Sequence, residues 1–254
     1  MPSEWVDEGP VVSTPGGILL SSFPSAGLAA TVAAHYIVQT LKLPRIGYVE
    51  SPDSPTLAIV QNGRVNPPVR AHGRADLTVV LSELPVPPDA AVDIARAILG
   101  AAEARKVRLI IGLEGVVPHP PVPEDVQGPE SVWAVLSRPD AKLQDQLKGA
   151  NSRALEDGVI GGVSGALLVE SLRRSTPTAV LLVSARPVPE GYPDHRAGAA
   201  LIEVLDRLLP ELQIDTRPLR TQAEMIERAL RSAMKTHRAK EPMPEGQGSP
   251  TIYG

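Results

Sequence analysis

Apolar residues occur along this chain in two patterns: short unbroken runs, and longer stretches where they recur every three or four positions. Residues 17–22 (GILLSS), 76–82 (DLTVVLS), 107–112 (VRLIIG) and 179–185 (AVLLVSA) belong to the first pattern. Such runs predict strands buried on both faces. Shorter strands are expected at 45–49, 57–60 and 132–136, with Asn62-Gly63 as a tight turn. The second pattern predicts helices over 28–41, from Asp89 to about Lys106, over 140–147, from Ser164 to about Arg174, over 193–209, and from Thr221 to about Lys240. Strands alternating with helices predict a Rossmann-like α/β fold. Its sheet is expected to be mostly parallel and covered by helices on both faces, with a C-terminal helix beyond it. Residues 115–125 are rich in proline and are expected to form neither a long helix nor a central strand. No repeat or compositional break divides the chain. Residues 1–241 are therefore expected to form a single α/β domain, and 242–254, rich in Pro, Gly, Gln, Ser and Glu, a flexible tail.

Composition narrows this picture. With 254 residues, 43% of them hydrophobic, the chain can bury a sizeable core. Aromatic residues are only 3%, so that core must be built from Val, Leu, Ile and Ala. Few rings and a net charge of −4 argue against nucleic-acid binding. Cysteine is absent, which excludes disulfides, thiolate catalysis and cysteine-based metal sites. No apolar run is long enough to span a membrane, and Met1-Pro2-Ser3-Glu4 lacks the start of a signal peptide. The expectation is a cytoplasmic protein.

The candidate chemistry is sparse. Gly158-Val159-Ile160-Gly161-Gly162-Val163-Ser164-Gly165 falls where a turn feeds a helix. Glycines there could bring backbone amides to a phosphate at the helix N-terminus. The spacing is not that of a dinucleotide loop, however, and no P-loop lysine follows. Close packing of Gly161, Gly162 and Gly165 is the preferred reading. Gly162-Val163-Ser164-Gly165-Ala166 also resembles a relaxed nucleophile elbow, with Asp194 and His195 downstream. This defines the alternative: a hydrolase, or a nucleotide- or phosphate-binding enzyme, built around Ser164. Against it, Asp194 and His195 are adjacent at a predicted helix start, where Asp is expected as a cap. The five histidines, His35, His72, His119, His195 and His237, show no metal-ligand spacing. Glu83, Glu114 and Asp125 follow strand ends but pair with nothing in sequence, so they read as solvated loop charges. In the last helix Ala223, Ile226, Leu230 and Met234 give an apolar face, expected to pack on the same chain.

The sequence finishes Ser249-Pro250-Thr251-Ile252-Tyr253-Gly254. A solvated tail has no folding reason to place an apolar residue beside a tyrosine. Together with the terminal carboxylate they form a three-point ligand: a pocket lysine could take the carboxylate while the ring fills an apolar slot.

The body resembles the proteasome assembly chaperone family, whose archaeal members are similar to the second eukaryotic assembly chaperone. The likeness lies in Phe23-Pro24-Ser25-Ala26-Gly27, in 74–80 (RADLTVV), in 108–112 (RLIIG), in 158–168 (GVIGGVSGALL) and in 193–200 (PDHRAGAA), in that order. It spans about 16–231. The tail matches the docking pattern hydrophobic residue, tyrosine, any residue. The resemblance implies a Rossmann-like fold, a homo-oligomer, no catalysis and no cofactor or metal. Its implied partners are proteasome α subunits and the core particle. Ile252 would be the hydrophobic anchor, Tyr253 the ring and Gly254 the carboxylate. Asp194 and the glycines would be structural. The Pro-rich stretch 115–125 departs from the family pattern.

Overall fold

The computed structural model describes residues 2–9, 15–53, 57–61, 63–117, 130–185 and 193–238. In the last stretch side chains are described through Ile226 and at Arg228 and Ala229. His119, Asp125, most of the Pro-rich stretch and Ile252-Tyr253-Gly254 lie outside the described residues.

The strands are β1 (Glu4–Asp7), β2 (Ile18–Ser22), β3 (Arg45–Glu50), β4 (Ile59–Gln61), β5 (Arg64–Asn66), β6 (Val69–Arg74), β7 (Leu77–Ser82), β8 (Leu109–Val116), β9 (Val132–Leu136), β10 (Arg153–Ala154) and β11 (Thr178–Ser184). The helices are α1 (Ala29–Thr40), α2 (Pro88–Ala104), α3 (Ala141–Gly149), α4 (Gly162–Ser171), α5 (His195–Leu208) and α6 (Arg217–Arg238). Nine strands form one sheet in the order β1-β3-β6-β7-β2-β8-β11-β9-β10, while β4 and β5 form a separate hairpin. The expected parallel sheet is its centre, β7-β2-β8-β11. Toward both sides the pairing turns antiparallel, at β6–β7, β3–β6 and β1–β3 and at β11–β9. Only two residues join β6 to β7. So short a link permits a hairpin but no crossover.

The unbroken apolar runs are the central strands because both their faces are covered. In β2, Ile18 and Leu20 join one core with α1 and α5, while Leu19 joins the other with α2 and α4. Strand β8 repeats this: Leu109, Ile111 and Leu113 face α1 and α5, and Ile110 faces α2. The cores are aliphatic, as the composition requires. On the first face Ala29, Ala33 and Ala34 of α1 meet Ala197, Ala200 and Leu201 of α5. Small residues there allow the two helices to approach closely.

Besides the short strands β1, β5 and β10, which the sequence reading does not contain, three elements differ from it. Strand β6 was not expected, because Arg70, His72 and Arg74 interrupt its apolar positions. It is an alternating strand with Val69 and Ala71 in the second core and a polar opposite face. Strand β8 runs to Val116, past the predicted end at Gly112, because β11 pairs with it from Ile110 to Val116. Gly115 and Val116 therefore belong to a central strand rather than to the Pro-rich loop. Helix α6 begins at Arg217; its Leu219 is buried in the first core, and Ala223 is buried as well.

Candidate functional site

The parallel strands β2, β8 and β11 all deliver their carboxyl ends to one edge of the sheet, where α/β proteins place their ligand crevices. Three segments converge there. Residues 23–28 leave β2, the turn 158–161 enters α4, and Asp194 opens α5.

The 23–28 loop lies against β8. The Gly115 amide donates to Ser25 Oγ at 2.8 Å. A Cβ at Gly115 would overlap the carbonyl of Ala26. The Asp194 amide in turn donates to the Gly27 carbonyl at 2.7 Å, tying the start of α5 to the same loop. Asp194 is buried, and its Oδ1 accepts from the Ala197 amide at 3.0 Å, an N-cap hydrogen bond. Asp194→Ala is expected to lower stability by about 1 kcal/mol, read as the urea midpoint. An unchanged midpoint would assign α5 another anchor.

On the opposite face Gly161 is the N-cap of α4 and Gly162 its first residue, with φ +60°. That left-handed conformation favours glycine. Gly161 and Gly162 have open space where a Cβ would stand, so they are turn formers rather than packing contacts. Gly165 is different: its missing Cβ is what lets α4 lie on the carbonyl of Ile160.

Ser164, 3% exposed, donates from Oγ to Glu114 Oε2 at 2.6 Å. Burial pushes the Glu114 carboxyl up to about 7, against a downward pull from the Ser164 hydroxyl. Gly112 lies on the strand beneath: its Cβ position is 3.6 Å from Ser164 Oγ. Glu114 is thus no solvated loop charge. It is a strand residue, held in a half-buried pair that joins β8 to α4.

Glu83 is also engaged. Arg70 holds it with both terminal nitrogens, one at 2.6 Å, and His35 Nε2 lies 2.8 Å from Oε1. Burial opposes its ionisation, yet the hydrogen bonds from Arg70 and His35 outweigh this and hold its carboxyl well below the usual range. Neither pairing is visible in sequence, because the partners are 50 residues apart for Ser164 and Glu114 and 13 for Arg70 and Glu83.

The Ser164–Asp194–His195 order does not assemble. Val163 and Leu167 of α4 pack in the second core, and Ala197 and Leu201 of α5 in the first, so the two helices lie on opposite faces of the sheet. His195 Nδ1, the nitrogen an orienting carboxylate would hold, sits 3.0 Å from the Pro193 carbonyl, two residues back. What the geometry brings together instead is Ser164 with Glu114, and Ser25 with Gly115. Among the described residues no group of three or more histidines and carboxylates is placed to hold a metal ion. No helix among them is long and apolar enough to cross a membrane.

Comparison with known proteins gives a consistent result. A model described as the PAC2 family matches residues 19–234. An uncharacterised protein of Methanocaldococcus jannaschii is 26% identical over 220 residues, covering 87% of this chain and 86% of its own. The crystal structure of Pyrococcus furiosus PbaA, described as an archaeal homolog of proteasome-assembly chaperone, is similar with a TM-score of 0.79. Identity is 26%, and 94% of each chain is covered. Pyrococcus furiosus PbaB, described as an archaeal proteasome activator, is similar with a TM-score of 0.73 and 25% identity, over 92% of this chain and 99% of its own.

Proposed function

Because this chain belongs to the PAC2 family, we propose that it is a proteasome-binding protein, an assembly chaperone or regulator of the core particle that works without nucleotide or other cofactor. The observation that carries this is the likeness to PbaA over 94% of both chains. A match over nearly the whole length, through both faces of the sheet, supports a shared role more strongly than a match in one motif would. The likeness to the activator PbaB adds a second relative whose printed role concerns the proteasome. The partners are α subunits and the core particle, the setting is cytoplasmic, and the working form is a homo-oligomer.

Docking runs through the tail segment 242–254, separate from the 1–241 domain, with Ile252 as apolar anchor, Tyr253 as ring and Gly254 beside them. Several tails on one oligomer would bind with avidity, so a weak single contact suffices. Asp194 and the glycines at 161, 162 and 165 shape the folded body and take no part in catalysis.

A pull-down with purified core particle tests this. Full-length protein is expected to retain it, and Tyr253→Ala to retain roughly tenfold less or worse, as for a central aromatic anchor. Equal retention by the variant would move the interface to the folded body and overturn the tail mechanism. No retention of core particle or free α subunits by the full-length protein would overturn the proteasome reading itself.

A further inference from the structure

The polar face of β6 opens into a cavity of about 370 Å³ beside α1. Arg70 and His72 of β6 and Leu81 of β7 form its floor, His35 and Gln39 of α1 one wall, and Gln61 of the β4–β5 hairpin the other. Its size falls near the lower end of small-molecule sites, ~300–1,000 Å³. Arg70 pairs with Leu81, which is level with Ser22, so the cavity sits on the same edge but two strands along from β2, and the tail reading makes no use of it.

Three features set it apart from an ordinary surface hollow. First, it is built over a buried cation. The Arg70 side chain is 2% exposed, and its Nε has no hydrogen-bond partner among the described residues. A buried pair such as Arg70–Glu83 adds little net stability over apolar packing, so stability alone does not account for it. Second, both histidines are oriented from behind. His72 Nδ1 lies 3.1 Å from the Leu43 carbonyl, and His35 Nε2 is held by Glu83. Donation to Leu43 leaves Nε2 of His72 without a proton in the neutral ring. Third, the local field is positive. Burial lowers the pKa of His72 most, and Arg70, His35 and Arg45 lower it further, against the hydrogen bond to Leu43. Glu83 is committed to Arg70 and His35, and Arg45 is paired with Glu8 at its outer side.

We propose that this pocket binds a small free oxyanion, a carboxylate or a phosphate, over the Arg70 guanidinium and between His72, Gln39 and Gln61. The two glutamine amides supply neutral donors. His72 supplies a charged one, because an anion stabilises the imidazolium that Arg70, His35 and Arg45 otherwise disfavour. Binding therefore takes up a proton: it leaves the solvent and comes to rest on His72 Nε2, facing the anion. The pocket fills more readily at pH 6 than at pH 8.

Titration calorimetry of the full-length protein with inorganic phosphate, and separately with malonate, at fixed ionic strength tests the proposal. Saturable binding of at least one is expected at pH 6. For malonate, whose own ionisation is complete above neutral pH, it should weaken roughly tenfold per pH unit above the His72 titration, as one linked proton requires. Buffers of different ionisation heat are expected to reveal uptake of about one proton. Phosphate binding alone would identify the phosphate class, and malonate binding alone the carboxylate class. Removing Arg70 would strand Glu83 in a half-buried position, so the variants are His72→Gln, which should abolish the pH dependence of malonate binding above neutral pH, and Gln39→Leu, which should weaken binding without lowering the melting temperature of the free protein. Absence of saturable binding for both anions at pH 6 overturns the proposal. So does unchanged binding in both variants, which would place the anion elsewhere.

Discussion

Gly165→Ala is expected to destabilise this protein by about 3 kcal/mol, the upper range for forcing one methyl into a packed site. The added Cβ would meet backbone, the carbonyl of Ile160, which cannot rotate away as a side chain would. Helix α4 would have to lift from the turn that precedes it, disturbing Val163 and Leu167 in the second core. In a chain of this size that corresponds to a fall in melting temperature of roughly 6–12 °C. The control is Gly100→Ala in the interior of α2. Its Cβ position has nothing within 4 Å, so the higher helix propensity of alanine should act alone and raise stability by about 0.5–1 kcal/mol. Two identical substitutions should thus have opposite signs. A Gly165→Ala protein as stable as the parent would show that α4 does not depend on this contact.

Glu114→Gln is expected to stabilise the protein at pH 8 and to have little effect at pH 5. In the fold the Glu114 carboxyl titrates at about 7, above its ordinary value of 4.5. Between those values the folded chain holds a proton that the unfolded chain has released. Stability from this group is therefore complete below pH 4.5 and is lost as pH rises through 7. A shift of this size corresponds to roughly 3 kcal/mol. Glutamine keeps an acceptor for the Ser164 hydroxyl and has no charge to bury. The difference in melting temperature between variant and parent should therefore grow by roughly 6–10 °C from pH 5 to pH 8. A difference that stays flat over this range would mean that Glu114 is not held in its neutral form by the fold. The sequence could not disclose this behaviour, because Glu114 precedes a proline-rich stretch and resembles any loop carboxylate. Only the pairing of β8 with β11 carries the strand far enough to bury it.

Other readings fared according to how local their causes were. The cap at Asp194 was legible because a capping side chain bonds to an amide three residues on. Strand β6 was missed because two of its polar residues, Arg70 and His72, serve Glu83 and the Leu43 carbonyl, which are distant in sequence, while Arg74 pairs with Asp76 in the turn to β7. A Ser–Asp–His series was conceivable from chain order alone. It dissolved once α4 and α5 were placed on opposite faces of the sheet.

The sequence by itself determined the class of this fold. Unbroken aliphatic runs at 18–22, 77–82, 109–113 and 178–183 bury both faces only in the middle of a covered sheet, and the helices between them supply the cover. It also determined the cap at Asp194, since capping is short-range chemistry. The tertiary structure alone decided which polar groups meet. Ser164 with Glu114, Arg70 and His35 with Glu83, and Ser25 with Gly115 are joined by strand order and by the face each helix takes. Those choices follow from the packing of the whole sheet. Hydrophobic period constrains burial but carries no record of neighbours, so the polar pairings became readable only when the chain was folded.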